Sequence, residues 1–415
     1  MEYVNVAINN KPARNSIDAI TNDLPVFIIT AYNRPKDLAS LLSSFETVCF
    51  FNKVRPKLIV SIDGNNDEVI NTANSYSHLI HEIIIHGDRL GLKNHILRCG
   101  DLTDKYDTIV MLEDDLVLSP NVFKYLVQTI PLAKSQVNVA SISLYNFQYN
   151  DFAPFKNSLD EVNGDIYYVK SVSSWGQVWW KEKWDEFRTW LENEYNASEY
   201  YRLPERVKKW PDTSWKKLFN FWLTYKDYYS LVPKQSLALC TGGQTGTNMS
   251  GIIGVSFSNT RNILSSYNVS EIDGSTIFDS FLELDIRDNS MVLKDLNIRL
   301  SDVEFDLACA KNKKDIYKEY VLTRRFHKNN HLIASYDINL GNPLLSVMLG
   351  IRGEGLYLVR KEGFQENAEV KLTNTFIRLQ LPWISSKRLL KCSFQVSFSA
   401  VFKSLASKLT KINQG

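Results

Sequence analysis

Glu113, Asp114 and Asp115 stand side by side within I-V-M-L-E-D-D-L-V-L, the stretch from Ile109 to Leu118. Three adjacent carboxylates repel one another, so a fold that sets them at the end of a buried strand must supply positive charge to neutralise them. A divalent cation does this. Mg²⁺ and Mn²⁺ take oxygen ligands, commonly one or two carboxylates, with water and substrate phosphates completing the shell. Such a site suits a substrate built on a nucleotide diphosphate. The plainer alternative is a solvated acidic turn. What favours the metal is the setting. A short apolar run leads in after the polar D-K-Y-D, and Ser119-Pro120 opens a helix beyond. The acids then fall at the carboxyl end of a parallel strand, where open α/β sheets bind ligands.

The elements that must carry these acids are legible upstream. Pro25 to Thr30 is short, β-branched and apolar, which predicts a strand, followed by Ala31-Tyr32-Asn33-Arg34-Pro35. Leu38, Leu41, Leu42 and Phe45 then recur on one helical face. A second strand, Lys57 to Ile62, runs into Asp63-Gly64. A third, Ile83 to Ile85, precedes G-D-R-L-G-L-K-N and another helix, and the fourth carries E-D-D. Alternation of this kind over the first 130 residues predicts a mostly parallel, Rossmann-type sheet with helices on both faces. Its strand tips would gather Arg34, Asp63, Asp88, Arg89 and the acids. No G-x-G-x-x-G follows the first strand and no G-x-x-x-x-G-K-S/T occurs, which disfavours dinucleotide and P-loop sites.

Past residue 130 the aromatics thicken. Trp175, Trp179, Trp180 and Trp184 fall within ten residues. Trp180, Trp184 and Phe187 have helical spacing and read as core. Trp175-Gly176 reads as a loop where a sugar could stack. Trp210-Pro211-Asp212-Thr213 introduces a second aromatic helix, and Asp212 reads either as its cap or as a base. Thr241 to Gly251 holds four glycines, which fits a substrate lid or a plain surface loop. Beyond residue 261, F-L-E-L-D-I-R-D, V-L-K-D-L-N-I-R-L and G-L-Y-L-V-R read as short strands and D-I-Y-K-E-Y-V-L as a helix. The tail carries Lys387, Arg388, Lys391, Lys403, Lys408 and Lys411 with no acid between them. That pattern fits a peripheral amphipathic helix on anionic lipid or an ordinary packed helix.

The totals narrow the class. A chain of 415 residues exceeds one ordinary core, and a net charge of +2 with interspersed signs gives no case for nucleic-acid binding. Five scattered cysteines without a C-x-x-C pair indicate neither a zinc site nor a disulfide framework, and fit a reducing cytoplasm. The amino terminus lacks the pattern of a signal peptide, and no apolar run is long enough to span a bilayer. The expected location is therefore cytoplasmic, with any membrane contact peripheral, on the inner face of the plasma membrane.

In order, F-I-I-T-A-Y-N-R-P, V-S-I-D-G, H-I-L-R, V-M-L-E-D-D-L-V-L-S-P, S-W-G-Q-V-W and P-D-T-S-W resemble the nucleotide-sugar glycosyltransferases of GT-A fold, in particular the N-acetylglucosaminyltransferase I family and its bacterial relatives. The resemblance spans about Pro25 to Gly251. It implies that Arg34 and Asp63 contact the nucleotide and that Asp115, last of a DXD-like motif, binds Mn²⁺ or Mg²⁺ on the diphosphate. It further implies that Glu113 and Asp114 face the ribose and sugar, that His95 lies near the nucleotide, and that Asp212 is the base. Trp175 joins the donor-binding set. Bacterial relatives carry a histidine near the end of the glycine-rich loop, where this chain has Asn248. The implied activity is transfer, with inversion, from a nucleotide-sugar donor, UDP-linked with N-acetylglucosamine foremost, to a glycan or lipid-linked glycan acceptor in polysaccharide biosynthesis. The implied layout is an extension (1–24), a donor-binding half (25–130), an acceptor-binding half (131–260) and a mixed C-terminal region (261–415). A nucleotidyltransferase and a non-catalytic carbohydrate-binding or scaffold protein are the competing readings.

Overall fold

A computed structural model describes residues 4–6, 24–150, 157, 159–196, 203–241, 264–293, 295–327, 331–338 and 342–370. The glycine-rich stretch beyond Thr241 and the basic tail lie outside them. Ten strands form the central sheet: β1 (Val4–Val6), β2 (Val26–Ala31), β3 (Leu58–Asp63), β4 (Glu82–His86), β5 (Thr108–Glu113), β7 (Val139–Ser143), β8 (Ile166–Val169), β9 (Gln177–Trp180), β10 (Tyr229–Pro233) and β12 (Ile277–Phe278). Their order is β1-β4-β3-β2-β5-β9-β7-β10-β8-β12. The block β4-β3-β2-β5 is parallel throughout. Strand β9 enters antiparallel between β5 and β7. Between β6 (Leu116–Leu118) and β11 (Ala238–Cys240) runs a separate antiparallel ribbon. The protein is thus an α/β chain built on a large, mostly parallel sheet, the architecture that a GT-A-like fold requires.

Buried on both faces, the parallel strands read as unbroken apolar runs. Phe27, Ile29, Val110 and Leu112 pack with Leu38, Leu41, Leu42 and Phe45 of α1 (Pro35–Asn52). Val26, Ile28, Ile109 and Met111 face the other way, against an aromatic layer. That layer comes from α6 (Lys181–Asn193) and α8 (Trp215–Lys226), with Trp179, Trp184, Phe187, Phe219 and Trp222 in mutual ring contact. Helix α3 (Leu92–Gly100) approaches Trp184 so closely that a Cβ on Gly100 would lie 1.9 Å from the indole. Only glycine fits there. Helix α2 (Asp67–Ser75), α4 (Thr103–Tyr106), α5 (Val122–Lys134) and α7 (Glu205–Lys208) complete this part.

Several sequence expectations shift. Trp180 ends β9 and packs on the α1 side, while Trp184 and Phe187 pack on the other, so the three do not form one helical face. Val4–Val6, read as part of an extension, pairs antiparallel with β4. F-L-E-L-D-I-R-D forms no strand beyond a single bridge, Phe278 to Leu284. In V-L-K-D-L-N-I-R-L a two-residue hairpin forms between β13 (Val292–Leu293) and β14 (Ile298–Arg299). D-I-Y-K-E-Y-V-L is not a helix. Its end, Tyr320-Val321-Leu322-Thr323, is strand β16, held between β15 (Val303–Asp306) and β18 (Gly355–Arg360), because pairing on both sides outweighs local helix propensity. With β17 (Leu332–Asp337) these make a four-stranded sheet, order β15-β16-β18-β17, next to α9 (Pro343–Met348). G-L-Y-L-V-R is β18, a strand as read.

Candidate functional site

Between β2 and β5 the strand order reverses: the chain steps from β2 outward to β3 and β4, then returns to β5 on the other side. Open α/β sheets bind ligands at such a point, beyond the carboxyl ends of the strands. After β2, Pro35 starts α1 with its φ already helical, and the carbonyl of Arg34 accepts the first-turn bond from Leu38 N–H at 3.0 Å. The guanidinium is left to reach across. Its Nη1 lies 2.6 Å from Asp115 Oδ2 and its Nη2 2.5 Å from Asp114 Oδ1. Tyr32 contributes a backbone hydrogen bond to Asp114.

The acids end β5 and turn the chain into the β6–β11 ribbon. Leu116 opposes Cys240, so Thr241 arrives beside Asp115 and donates to its carbonyl from N–H (2.8 Å) and Oγ1 (3.0 Å). The glycine-rich stretch therefore departs directly from the acid cluster. Glu113 accepts a hydrogen bond from Trp215, at the start of α8. Burial, then the charges of Asp115 and Asp114, push the Glu113 carboxyl up to about 8. Burial is also the leading cause that raises Asp114, to about 7, with Arg34 pulling the other way. Among the described residues, Arg34 is the one cation these three acids share. Glu113 Oε1 and Asp115 Oδ1 are enclosed and, again among the described residues, have no hydrogen-bond partner.

Those two oxygens are what a hard divalent cation takes. Among the described residues no group of three or more His, Cys, Asp and Glu side chains is arranged to hold an ion unaided. Glu113 Oε1 and Asp115 Oδ1 are the donors such an ion would meet here, with the rest of its shell from water and phosphate.

One strand over, Asp63 ends β3 almost wholly buried and accepts from Leu90 N–H (2.6 Å) and Gly91 N–H (3.0 Å), fixing the turn before α3. Behind it, Ser61 Oγ lies 2.8 Å from His95 Nε2 and 3.1 Å from His86 Nε2. Burial drives the His95 pKa down to about 4, so the ring is neutral near pH 7. His95 thus stands behind Asp63, buried, with its Nε2 on a serine. Arg89, in the same turn, stacks on the Tyr32 ring at 4.5 Å.

Asp212 is not the cap of α8. Ser214 is, its hydroxyl accepting from Lys217 N–H at 3.3 Å. The Asp212 side chain is 92% exposed and pairs with Lys217 Nζ at 2.8 Å, which holds its carboxyl below the usual range. Lys93 of α3 donates to its backbone carbonyl at 3.0 Å. Trp175 is half-buried, edge-on to Tyr145 at 4.2 Å, and is separated from α6 by strand β9. Gly176 beyond it has φ +90°, where L side chains are strained, and a Cβ there would meet Leu144 at 2.8 Å.

Arg34, Glu113, Asp114 and Asp115 are therefore brought into one cluster, with Asp63 and His95 in a second on the adjacent strand. Asp212 is tied to both, through Trp215 three residues on and through Lys93, while Trp175 stands apart against Tyr145. Sequence reasoning missed Ser61, Lys93, Trp215 and Lys217. P-D-T-S-W displayed Trp215, but nothing in its spacing announced a partner 102 positions upstream. A cleft of about 810 Å³ opens at the opposite ends of the same strands, lined by Val26, Lys57, Thr108 and Lys134, far from this chemistry.

Fold and site define an α/β protein with a cluster of three acids and an arginine at the switch point of a mostly parallel sheet. No family model and no curated protein matches the chain. Solved structures similar to it include TarS 1–349 of S. aureus, at 11% identity and TM-score 0.34, covering 52% of this chain and 60% of that one. Another is the mannosyltransferase PcManGT of Pyrobaculum calidifontis in complex with GDP-Man and Mn²⁺, at 11% identity and TM-score 0.28, covering 44% and 50%. The match thus spans 60% of the length of the first and 50% of the second. Likenesses this distant assign it no activity.

Proposed function

We propose that the chain is a metal-dependent glycosyltransferase moving a sugar, with inversion, from a nucleotide-diphosphate donor to a glycan or lipid-linked glycan. A UDP-linked donor, N-acetylglucosamine foremost, follows from the family resemblance of the motifs. The observation that carries the reading is the acid cluster at the switch point: three carboxylates, one arginine and two enclosed oxygens without a partner. Buried carboxylate oxygens ordinarily find a hydrogen-bond partner, and these two have none among the described residues.

In this reading residues 25–130 hold the donor and 131–260 the acceptor. A divalent ion at Asp115 supplies charge neutralisation on the departing diphosphate. Arg34 lends its guanidinium to the same phosphates, since planar forks suit phosphate oxygens. Asp63, by clamping Leu90 and Gly91, shapes the nucleoside end, with neutral His95 behind it. Trp215 fixes Glu113, and Glu113 with Asp114 turns toward ribose and sugar. Trp175 offers an aromatic face to a sugar ring. Asp212, ionised near neutrality, accepts the acceptor hydroxyl's proton at its carboxylate as the new bond forms. The process served is polysaccharide assembly on the cytoplasmic side of the membrane.

The test is hydrolysis and binding of a panel of sugar nucleotides with and without Mn²⁺, on the wild type and on Asp115→Ala. The expected result is metal-dependent binding of one donor, weakened on the order of a hundredfold in the variant. Equal binding with and without metal rejects the ligand assignment, and no binding of any donor rejects the transferase.

A further inference from the structure

Cations collect around Asp212. Residues 203–217 hold Arg206, Lys208, Lys209, Lys216 and Lys217 against two acids, Glu205 and Asp212. With Lys93 counted beside them, the remainder of the chain has forty-two cations and forty-four acids, so the excess of positive charge lies here. One of the two acids is already matched, since Lys208 Nζ lies 2.7 Å from Glu205 Oε1. The other, Asp212, is approached from two elements. Lys217 of α8 lies 2.8 Å from its Oδ1, and Lys93 of α3 donates to its carbonyl at 3.0 Å. A carbonyl carries no net charge, so the Lys93 ammonium adds to the positive field at this point. Lys216 sets its ammonium 4.7 Å over the Trp210 ring, beside another group without net charge.

This balance reverses that of the acid cluster, where among the described residues one arginine meets three carboxylates. The two regions adjoin. Trp215, whose side chain bonds Glu113, stands in sequence between Ser214 and Lys216, so the lysine-rich rim borders the acids. A donor diphosphate has its countercharge at the acids, from Arg34 and a metal ion. The lysines gather instead about Asp212, which is 92% exposed and open to whatever comes from solvent. Ammonium groups are compact point charges that suit phosphate oxygens, whereas carboxylates are matched best by the planar fork of arginine.

We propose that the acceptor is phosphate-bearing, with Lys93 and Lys216 seating a phosphate group close to the hydroxyl that is presented to Asp212. The inference rests on Asp212 being the proton acceptor of the proposed transfer, and it narrows the class of acceptor. The hydroxyl oxygen bonds to the anomeric carbon, the bond from that carbon to the donor diphosphate breaks with its electron pair, and the proton goes to the Asp212 carboxylate. The acceptor's phosphate is not consumed. It holds the hydroxyl in place.

The experiment is titration calorimetry on the full chain without divalent metal, at about 0.15 M salt, where loose charge attraction is screened. The probes are a glycerol phosphate oligomer, a water-soluble prenyl diphosphate, an oligogalacturonate of equal charge and a neutral maltooligosaccharide. A phosphate probe binds at least about tenfold tighter than the oligogalacturonate, and the neutral sugar binds more weakly still. Tight binding of the glycerol phosphate oligomer places the phosphate in the glycan chain, and tight binding of the prenyl diphosphate places it in a lipid link. Lys93→Gln with Lys216→Gln lowers phosphate affinity about tenfold or more. Lys209→Gln with Lys216→Gln lowers it in the same direction should the loss of Lys93 disturb α3, and Lys53→Gln with Arg299→Gln, on other elements, leaves it unchanged. Phosphate binding no tighter than that of the oligogalacturonate overturns the proposal, as does a Lys93 and Lys216 variant that binds phosphate like the wild type. Sugar-nucleotide binding with Mn²⁺, measured on the same proteins, keeps the two readings apart. Phosphate preference without any donor binding rejects the transferase and keeps the phosphate seat, whereas donor affinity that falls in place of phosphate affinity gives these lysines to the donor and overturns the proposal.

Discussion

The acid end of the central sheet and the base of the C-terminal module both bury carboxylates, and they treat them in opposite ways. In the module, Lys311, 1% exposed, bridges Asp279 and Glu304 at 2.5 Å each. Asp306, fully buried, takes Arg325 Nε at 3.0 Å, Thr323 Oγ1 at 2.9 Å and Lys311 N–H at 3.0 Å. Glu283 accepts from Ala308 N–H at 2.5 Å, and its carboxyl, pushed up to about 8 chiefly by burial, is neutral near pH 7. None of the enclosed oxygens of these four acids lacks a partner. At Glu113, Asp114 and Asp115, among the described residues, one arginine serves three acids, and Glu113 Oε1 and Asp115 Oδ1 are left over. Matched charge joins the stretch after β12 to the module. The less matched cluster is the one proposed to take the metal.

Removing one partner from the matched cluster should produce the largest effect. Lys311→Met leaves Asp279 and Glu304 buried and uncompensated, and should cost about 3–5 kcal/mol in denaturant unfolding. If Asp115→Ala costs as much, the contrast between the clusters fails. It should instead leave the metal-free protein about as stable as the wild type, because it removes one of three crowded carboxylates and leaves Arg34 paired with Asp114.

Asp212→Asn sharpens the comparison from outside both clusters. Being exposed, it should unfold at the wild-type denaturant midpoint and retain donor affinity while turnover falls on the order of a hundredfold. Wild-type turnover would reduce the Asp212 and Lys217 pair to a surface contact.

The smallest effect is in pH. Glu113 and Asp114 have folded pKa values raised above their unfolded ones, so the native state holds more protons between about pH 4.5 and 8. Metal-free stability is then fully present below the unfolded values and declines as pH rises through about 7 to 8. Thermal melts of Glu113→Gln should show a shallower decline over that window. An unchanged slope would place the proton elsewhere.

How much of this could be read from the chain follows from where each signal resides. Strands β2, β3, β4 and β5 are buried on both faces, so their composition is local evidence and their boundaries came out within a residue or so. Arg34, Asp63 and the acids were legible because polar residues closing apolar runs converge in any parallel sheet. Trp215 reaching Glu113, and Ser61 shared by two histidines, join residues far apart in sequence, and no spacing rule encodes them. Tyr320–Thr323 read as helical because its strand character is supplied by β15 and β18, not by itself.

Asp63 spends both carboxylate oxygens on Leu90 and Gly91, and Lys93, two residues further, grips the carbonyl of Asp212. The turn proposed to line the donor's seat is thereby bolted to the loop that bears Asp212, the proposed proton acceptor. In the proposed reading a change at Asp63 reaches the acceptor side as well, so variants that alter the two specificities should be selected jointly and not in turn.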